Sequence, residues 1–257
     1  MRRVFYFLAI ALTSMLFFSS CDKDNTVKDI DGNQYTVVRI GYQEWMVENL
    51  KVTHYNDGTP ITYAATDVQW AFADSVGKGA WCVYDFYGDA DEALTANSYV
   101  TYGPLYNFYA IQSGKLAPEG WRVATEEDWN VLQLFISYNG WNYDETHTDN
   151  KVAKALVDNK LWRDNEPGDD PGDIGSKDAY VKMYNISGFS ALPAGDRHPD
   201  GKYFFQGEQT FWWTSTYLPN ITTAIWSKGL SYTESAIISD PAKAGYGFSV
   251  RCVRDVE

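Results

Sequence analysis

Cysteine and histidine are scarce in this sequence, and their scarcity excludes several kinds of catalytic site. The chain has three cysteines and three histidines in 257 residues. The histidines, His54, His147 and His198, are scattered, and no His-Glu-x-x-His motif, nucleophile elbow or phosphate-cradling glycine loop occurs. Because no recognisable set of acid, base and nucleophile is present, an enzyme is the less favoured interpretation.

Positive charge and long apolar runs are also in short supply. The 34 acidic residues outnumber the 21 lysines and arginines, which gives a net charge of −13. Nucleic acid demands a basic face, so the acidity argues against a nucleic-acid partner and against charge-driven binding to anionic membranes. Beyond the first 20 residues no apolar run is long enough to span a bilayer.

Residues 1–20 have the composition of a secretory signal peptide. Arg2 and Arg3 precede an apolar centre, and Ser19-Ser20-Cys21 follows it. This ending resembles the bacterial lipobox, in which cleavage before the cysteine leaves a thiol that carries lipid acyl chains such as palmitate. The alternative is an ordinary secreted protein whose Cys21 lies in the leader by chance.

Lipidation at Cys21 predicts where the protein resides. Residues 1–20 are the signal peptide, 21–26 a lipidated tether and 27–257 a single domain. Cleavage leaves 237 residues and, because two arginines are lost, shifts the net charge from −13 to −15. We expect a lipid-anchored protein of the bacterial cell envelope, in the outer membrane and exposed at the surface, whose membrane contact comes from the lipid.

Cys82 and Cys252 remain after Cys21 is modified. Trp81-Cys82-Val83-Tyr84 and Val250-Arg251-Cys252-Val253 each place the thiol in an apolar strand. Export to an oxidising compartment permits a disulfide between them. Two buried free thiols are the alternative.

The stretch 120–129 predicts the start of a buried helix. Thr125 and Asp128 have the spacing of a capping box, and three acids occupy the first turn. Trp129, Leu132 and Ile136 then form an apolar stripe. Asn139-Gly140 ends the helix.

The remaining pattern predicts an α+β fold. Residues 27–47 read as a meander with a turn at Asp31-Gly32, and a second helix is expected through 152–157. Residues 64–80 lack periodicity and are expected to form a loop. Further strands are expected at 188–193, 202–205, 210–215, 224–227, 236–238 and 247–253.

An acidic loop after the second helix is a candidate calcium site. Calcium takes six to eight oxygen ligands, and carboxylates supply them. The candidate ligands are Asp164, Glu166, Asp169, Asp170 and Asp173. A solvated acidic loop is the alternative, since the spacing matches no known calcium-binding motif; no other cofactor is expected.

Ten tryptophans and nineteen tyrosines make the chain rich in aromatic rings. Most must fill the core, because a β-rich domain with few leucines has to fill its interior with aromatic side chains. Trp212-Trp213 is the best candidate for a ligand contact. Adjacent strand residues point to opposite faces, so one indole is expected to be exposed or covered by a loop.

Several motifs together resemble the Fibrobacter succinogenes major paralogous domain, in the same order and over nearly the whole mature chain. That family occurs in exported and surface lipoproteins, and most members lack an assigned activity. The motifs are 30–35, 45–50, 55–58, 102–107, 116–123, 188–195, 211–215 and 249–253.

Residues 121–129 and 248–252 also resemble landmarks of the formylglycine-generating sulfatase-modifying fold, a variant of the C-type lectin fold. The resemblance implies small antiparallel sheets, two main helices, long irregular loops and termini that meet. An oxidase of that kind needs a close cysteine pair, which this chain lacks. Lectins place a calcium loop after the second helix, but Glu166-Pro167-Gly168 lacks the amide of the lectin motif, and no Trp-Asn-Asp follows.

Three functions remain open. The favoured hypothesis is a surface binding or adhesion module whose ligand is a glycan or another surface protein. The alternatives are a lipoprotein enzyme that acts on glycans or proteins and a structural subunit of a surface assembly. Two acids in a deep cleft would favour a glycosidase, and an open aromatic face would favour binding.

Overall fold

Short strands and helices alternate along residues 25–166 and 168–256, the part of the chain that the computed structural model describes. The strands are β1 (Thr26–Lys28), β2 (Gln34–Ile40), β3 (Gln43–Met46), β4 (Thr62–Tyr63), β5 (Ala80–Cys82), β6 (Leu105–Tyr106), β7 (Arg122–Val123), β8 (Asp196–Arg197), β9 (Tyr203–Phe204), β10 (Gln209–Leu218), β11 (Ile221–Ser231), β12 (Ile238–Ala242) and β13 (Cys252–Asp255). The helices are α1 (Asp67–Ser75), α2 (Ala90–Ala93), α3 (Asn97–Tyr102), α4 (Phe108–Gln112), α5 (Glu126–Tyr138), α6 (Ala153–Leu156) and a 3-10 turn at Val181–Met183.

The first and last described strands share one antiparallel sheet with the order β1-β2-β3-β13-β7. Strands β1 to β3 form the predicted meander. Its turns use Gly32 at φ 83° and Gly41 at φ 65°, values that glycine adopts without a steric penalty. The long-range pairing of β13 with both β3 and β7 closes the fold.

Three smaller sheets complete the described architecture. Strands β10, β11 and β12 are antiparallel, β8 pairs with β9, and β4-β5-β6 contains a parallel β4–β5 pair. The structure is therefore a mixed α+β fold with small, largely antiparallel sheets and few helices, as predicted. The lectin-like topology stays a prediction.

Helix α5 begins and ends where the sequence predicts. The Thr125 hydroxyl accepts a hydrogen bond from the Asp128 amide at 3.0 Å, and the Asp128 carboxylate accepts one from the Thr125 amide at 2.8 Å. Both amides would otherwise lack partners at the helix start. Trp129, Leu132 and Ile136 are buried, so the apolar stripe faces the core.

The expected loop at 64–80 contains helix α1. Thr66 and Gln69 form its capping box, and Trp70 and Ala73 face inward. Val68 and Phe72 point to solvent, which obscures the apolar periodicity in the sequence. The expected second helix is also shorter than predicted, because α6 has only four residues.

Two large clusters of apolar side chains form the core on either side of β10. One surrounds Trp213, Phe248 and Tyr106, and the other surrounds Trp212, Trp129 and Trp45. A third, small cluster contains Trp70, and the β8–β9 hairpin packs against it. No helix in the described ranges has the length and apolar character needed to cross a bilayer.

Candidate ligand-binding site

The β8–β9 hairpin is anchored by the buried Arg197. Its guanidinium donates hydrogen bonds to the carbonyls of Ala64 at 2.6 Å, Ala65 at 3.1 Å and Gly201 at 2.8 Å. It also lies between two rings, 4.9 Å from Trp70 and 4.5 Å from Tyr203, at cation–π distance. These contacts fix the hairpin against α1.

Strand alternation turns Asp196 to the other side of the hairpin from Arg197. Asp196 is 3% exposed, and its Oδ1 has no hydrogen-bond partner among the described residues. The His198 Nε2 lies 3.6 Å from Oδ2, beyond hydrogen-bond distance. Because no donor offsets the loss of water, burial raises the pKa of Asp196 from 3.8 to about 7.

A pocket of about 430 Å³ opens over this carboxyl group. We call it the Asp196 pocket. Its wall belongs to β8, β10, β11, β12 and the segment before β13. It is lined by Asp196, His198, Pro199, Phe205, Phe211, Ser227, Asp240, Pro241, Ala242, Lys243, Tyr246 and Phe248.

Backbone pairing brings the aromatic rings together. Arg197 and Gly247 exchange hydrogen bonds of 2.9 and 2.7 Å, which places Tyr246 beside His198. The His198 ring lies 5.0 Å from that of Tyr246 and 4.3 Å from that of Phe204. The rings therefore form a connected aromatic rim.

Phe205 is held at the rim in an unusual backbone conformation. Its φ is 66°, in the left-handed region that bulky residues rarely occupy. The residue is 39% exposed although it lines the pocket. Strain of this kind recurs at functional sites, so Phe205 is a candidate ligand contact.

Of the two alternatives predicted for Trp212 and Trp213, exposure of one indole is wrong. Both indoles are fully buried. They do point to opposite faces of β10, but each face has its own core, where Trp212 donates to Asn49 Oδ1 and Trp213 to the Tyr106 carbonyl. Neither ring is open to a ligand in this structure.

The predicted Cys82–Cys252 disulfide is also wrong, since both are free, buried thiols. Cys82 pairs with Leu105 in one sheet, whereas Cys252 pairs with Val123 in another. The two strands face different cores, so burial of both cysteines does not bring them together.

Thiol labelling tests this correction. We expect unreduced, denatured protein to bind two equivalents of a thiol reagent at Cys82 and Cys252 when Cys21 is absent. The native protein should react slowly, because burial shields both groups and raises the pKa of each thiol. If neither cysteine were labelled in the denatured protein, the two would be joined by the disulfide that the sequence predicts.

The acidic loop is organised largely by hydrogen bonds of its own. Asp164 pairs with Lys177 at 2.7 Å. Asp173 is buried and accepts a hydrogen bond from Asn165, and burial raises its pKa. Below the loop, Lys154 donates to the carbonyls of Ser176 and Ala179.

Asp169 and Asp170 of this loop accept backbone hydrogen bonds. The Asp169 side chain binds the amide of Glu166, and that of Asp170 binds the amide of Gly172. Among the residues that the structure describes, which leave out Pro167, no three side chains form a metal-binding group. Calcium binding stays a prediction. Cys21 lies outside the described residues, so its lipidation also stays a prediction.

Sequence reasoning missed the Asp196 pocket. The only local signal is Asp196-Arg197-His198, in which the acid and the imidazole share one face of a strand. Phe205, Asp240 and Tyr246 join them through contacts between segments far apart in the chain, which no local pattern shows.

Together, the fold and the pocket define an α+β domain with an open aromatic cleft over a buried carboxyl group. The model of the Fibrobacter succinogenes major domain matches residues 38–254. The chain therefore belongs to that family. No curated protein and no solved structure matches it significantly.

Proposed function

We propose that this protein is a lipid-anchored binding module of the bacterial envelope and that it binds a glycan in the Asp196 pocket. The observation that carries the proposal is the aromatic rim over an unpaired, buried carboxyl group. Flat rings provide faces on which sugar rings stack, and a carboxylate accepts hydrogen bonds from sugar hydroxyls. A pocket lined by rings with a few polar groups is the usual form of a small-ligand site.

Phe205→Ala should weaken glycan binding roughly five- to thirtyfold, because truncation of an anchoring aromatic residue costs about 1 to 2 kcal/mol. A glycan array would identify the ligand and titration calorimetry would measure its affinity. A chain that begins at Asp22 suits both experiments, since it contains every strand and helix that the structure describes. Phe72→Ala is the matched control, because Phe72 is an exposed phenylalanine on α1 outside the pocket. If the two variants lost glycan affinity equally, the Asp196 pocket would not be the binding site.

The anchor has a separate test. Cys21→Ala should release the protein from the membrane fraction or leave the leader uncut, since the lipid is attached to that thiol. Membrane fractionation and the mass of the mature N-terminus measure both effects. A variant that is cleaved and fractionates like the wild type would exclude the lipoprotein assignment.

One observation favours a second candidate function, hydrolysis of a glycan. Asp196 and Asp240 line the same pocket, and a carboxyl group whose pKa is about 7 can act as a general acid near neutral pH. Turnover of the glycan found on the array, lost in both Asp196→Asn and Asp240→Asn, would support this function over binding alone.

A further inference from the structure

Within the described part of the chain, the carboxyl group in the Asp196 pocket has no counterion at hydrogen-bond distance. Among the described residues, the nearest basic nitrogen recorded for Asp196 is the His198 Nε2 at 3.6 Å. The neighbouring Arg197 directs its donors to three backbone carbonyls on the other side of the hairpin. Neither residue neutralises the Asp196 carboxylate.

The other charged groups of the pocket do not supply the counterion either. Lys243 is exposed at the rim, and within the described ranges it forms no salt bridge. Asp240 adds a second negative charge to the lining. Tyr84 and Tyr246 are the phenols near Asp196, and as acids they add no positive charge. The residues that the structure describes therefore place no paired cation beside Asp196.

We infer that the ligand of the Asp196 pocket is a glycan residue with a free amino group, whose ammonium pairs with Asp196 and lies among the aromatic rings. This inference rests on the proposed function and specifies the sugar. The ammonium supplies the positive charge that the pocket lacks, and the sugar ring supplies the face for stacking.

Two physical terms favour an ammonium over a hydroxyl group at this position. A hydroxyl group gives the Asp196 carboxylate one hydrogen bond, whereas an ammonium adds the Coulomb attraction between opposite charges, which is stronger where burial lowers the local dielectric. The aromatic rings attract the same cation through their quadrupoles. A neutral or N-acetylated sugar stacks on the rings but gains neither the charge attraction to Asp196 nor the attraction of a cation to the rings.

The test compares sugars that differ only at one substituent. Calorimetry with the mature chain would use oligosaccharides of glucosamine, N-acetylglucosamine and glucose of equal length. We expect the glucosamine oligosaccharide to bind at least about tenfold tighter than the other two. Asp196→Asn should abolish this preference but leave the weaker binding of the neutral sugars, whereas Asp200→Asn, an exposed acid in the same hairpin turn, should leave the preference intact.

The pH dependence gives a second readout that a purely structural role of Asp196 would not produce. With N-trimethylglucosamine oligosaccharide, whose charge is fixed, affinity should fall as the pH drops below about 7 and level off roughly tenfold lower, because protonation of Asp196 removes the partner of the cation. Asp196→Asn should flatten the profile.

The outcomes separate this inference from the proposed function. Equal affinity for charged and neutral sugars would overturn the amino-sugar inference and leave glycan binding in place. Failure of every glycan to bind would overturn both. Tighter binding of an Nα-acetyl-lysine peptide than of the glucosamine oligosaccharide would overturn the assignment to a sugar.

Discussion

Asp196→Asn should stabilise the folded protein at pH 8 by up to about 4 kcal/mol. Burial raises the pKa of Asp196 from 3.8 to about 7, and each tenfold change in proton affinity corresponds to about 1.4 kcal/mol. The folded state therefore holds the proton more tightly than the unfolded state. Between pH 4 and pH 7 this group lowers the stability of the wild type as pH rises, and the full penalty persists above pH 7. Asparagine carries no charge and escapes the penalty.

Urea titrations of the two proteins from pH 4 to pH 8 would measure this difference. Other acids titrate in both proteins, so their contributions cancel in the comparison. The stability gain should be small at pH 4, grow to pH 7 and then level off. Asp200→Asn, in the exposed turn of the same hairpin, should change stability by less than about 0.5 kcal/mol at every pH. An Asp196→Asn gain that does not depend on pH would show that Asp196 is not a buried, unpaired carboxyl group.

Arg251→Met should lower the free energy of unfolding by about 4 kcal/mol. Arg251 is 2% exposed and donates hydrogen bonds to Asn49 Oδ1 at 2.8 Å, the Met46 carbonyl at 2.7 Å and the Phe189 carbonyl at 3.0 Å. Its guanidinium also stacks on the Phe189 ring at 4.4 Å. Methionine leaves the Met46 and Phe189 carbonyls without that donor, whereas Asn49 Oδ1 keeps the hydrogen bond from the Trp212 indole. Each unsatisfied buried group costs about 1 to 3 kcal/mol.

Denaturant unfolding would measure the loss. Arg251→Lys keeps the charge but not the planar set of donors, so it should recover only part of the lost stability. Arg254→Met is the matched control. Arg254 is half-exposed and pairs with Glu44 at the sheet surface, where a salt bridge is worth about 1 kcal/mol or less. Similar losses at Arg251 and Arg254 would contradict the central role of Arg251.

The elements that the sequence predicts well are those whose signals are local. The capping box of Thr125 and Asp128 lies within four residues, and the helix begins there. The turn at Gly32 is equally local, because only the residues on either side determine its geometry. In contrast, α1 escaped prediction because Val68 and Phe72 face solvent, which breaks the apolar pattern.

The two tryptophans of β10 show the limit of local reasoning. Alternation correctly placed Trp212 and Trp213 on opposite faces. It could not show that both faces are covered, because the covering residues, such as Trp129 and Phe108, come from distant segments. The same limit explains the wrong disulfide: apolar surroundings predict burial of Cys82 and Cys252 but not which core each thiol enters.

The sequence by itself determined the α+β class, the N-terminal meander, the capped helix α5 and membership of the family, because periodicity, caps and motif order are properties of neighbouring residues. Only the tertiary structure decided where the candidate site lies. Asp196 becomes a buried, unpaired carboxyl group through the anchoring of Arg197 and the pairing of Arg197 with Gly247. Burial and ring contacts of this kind depend on the packing of segments far apart in the chain, and that packing sets both the pKa of Asp196 and the shape of its pocket.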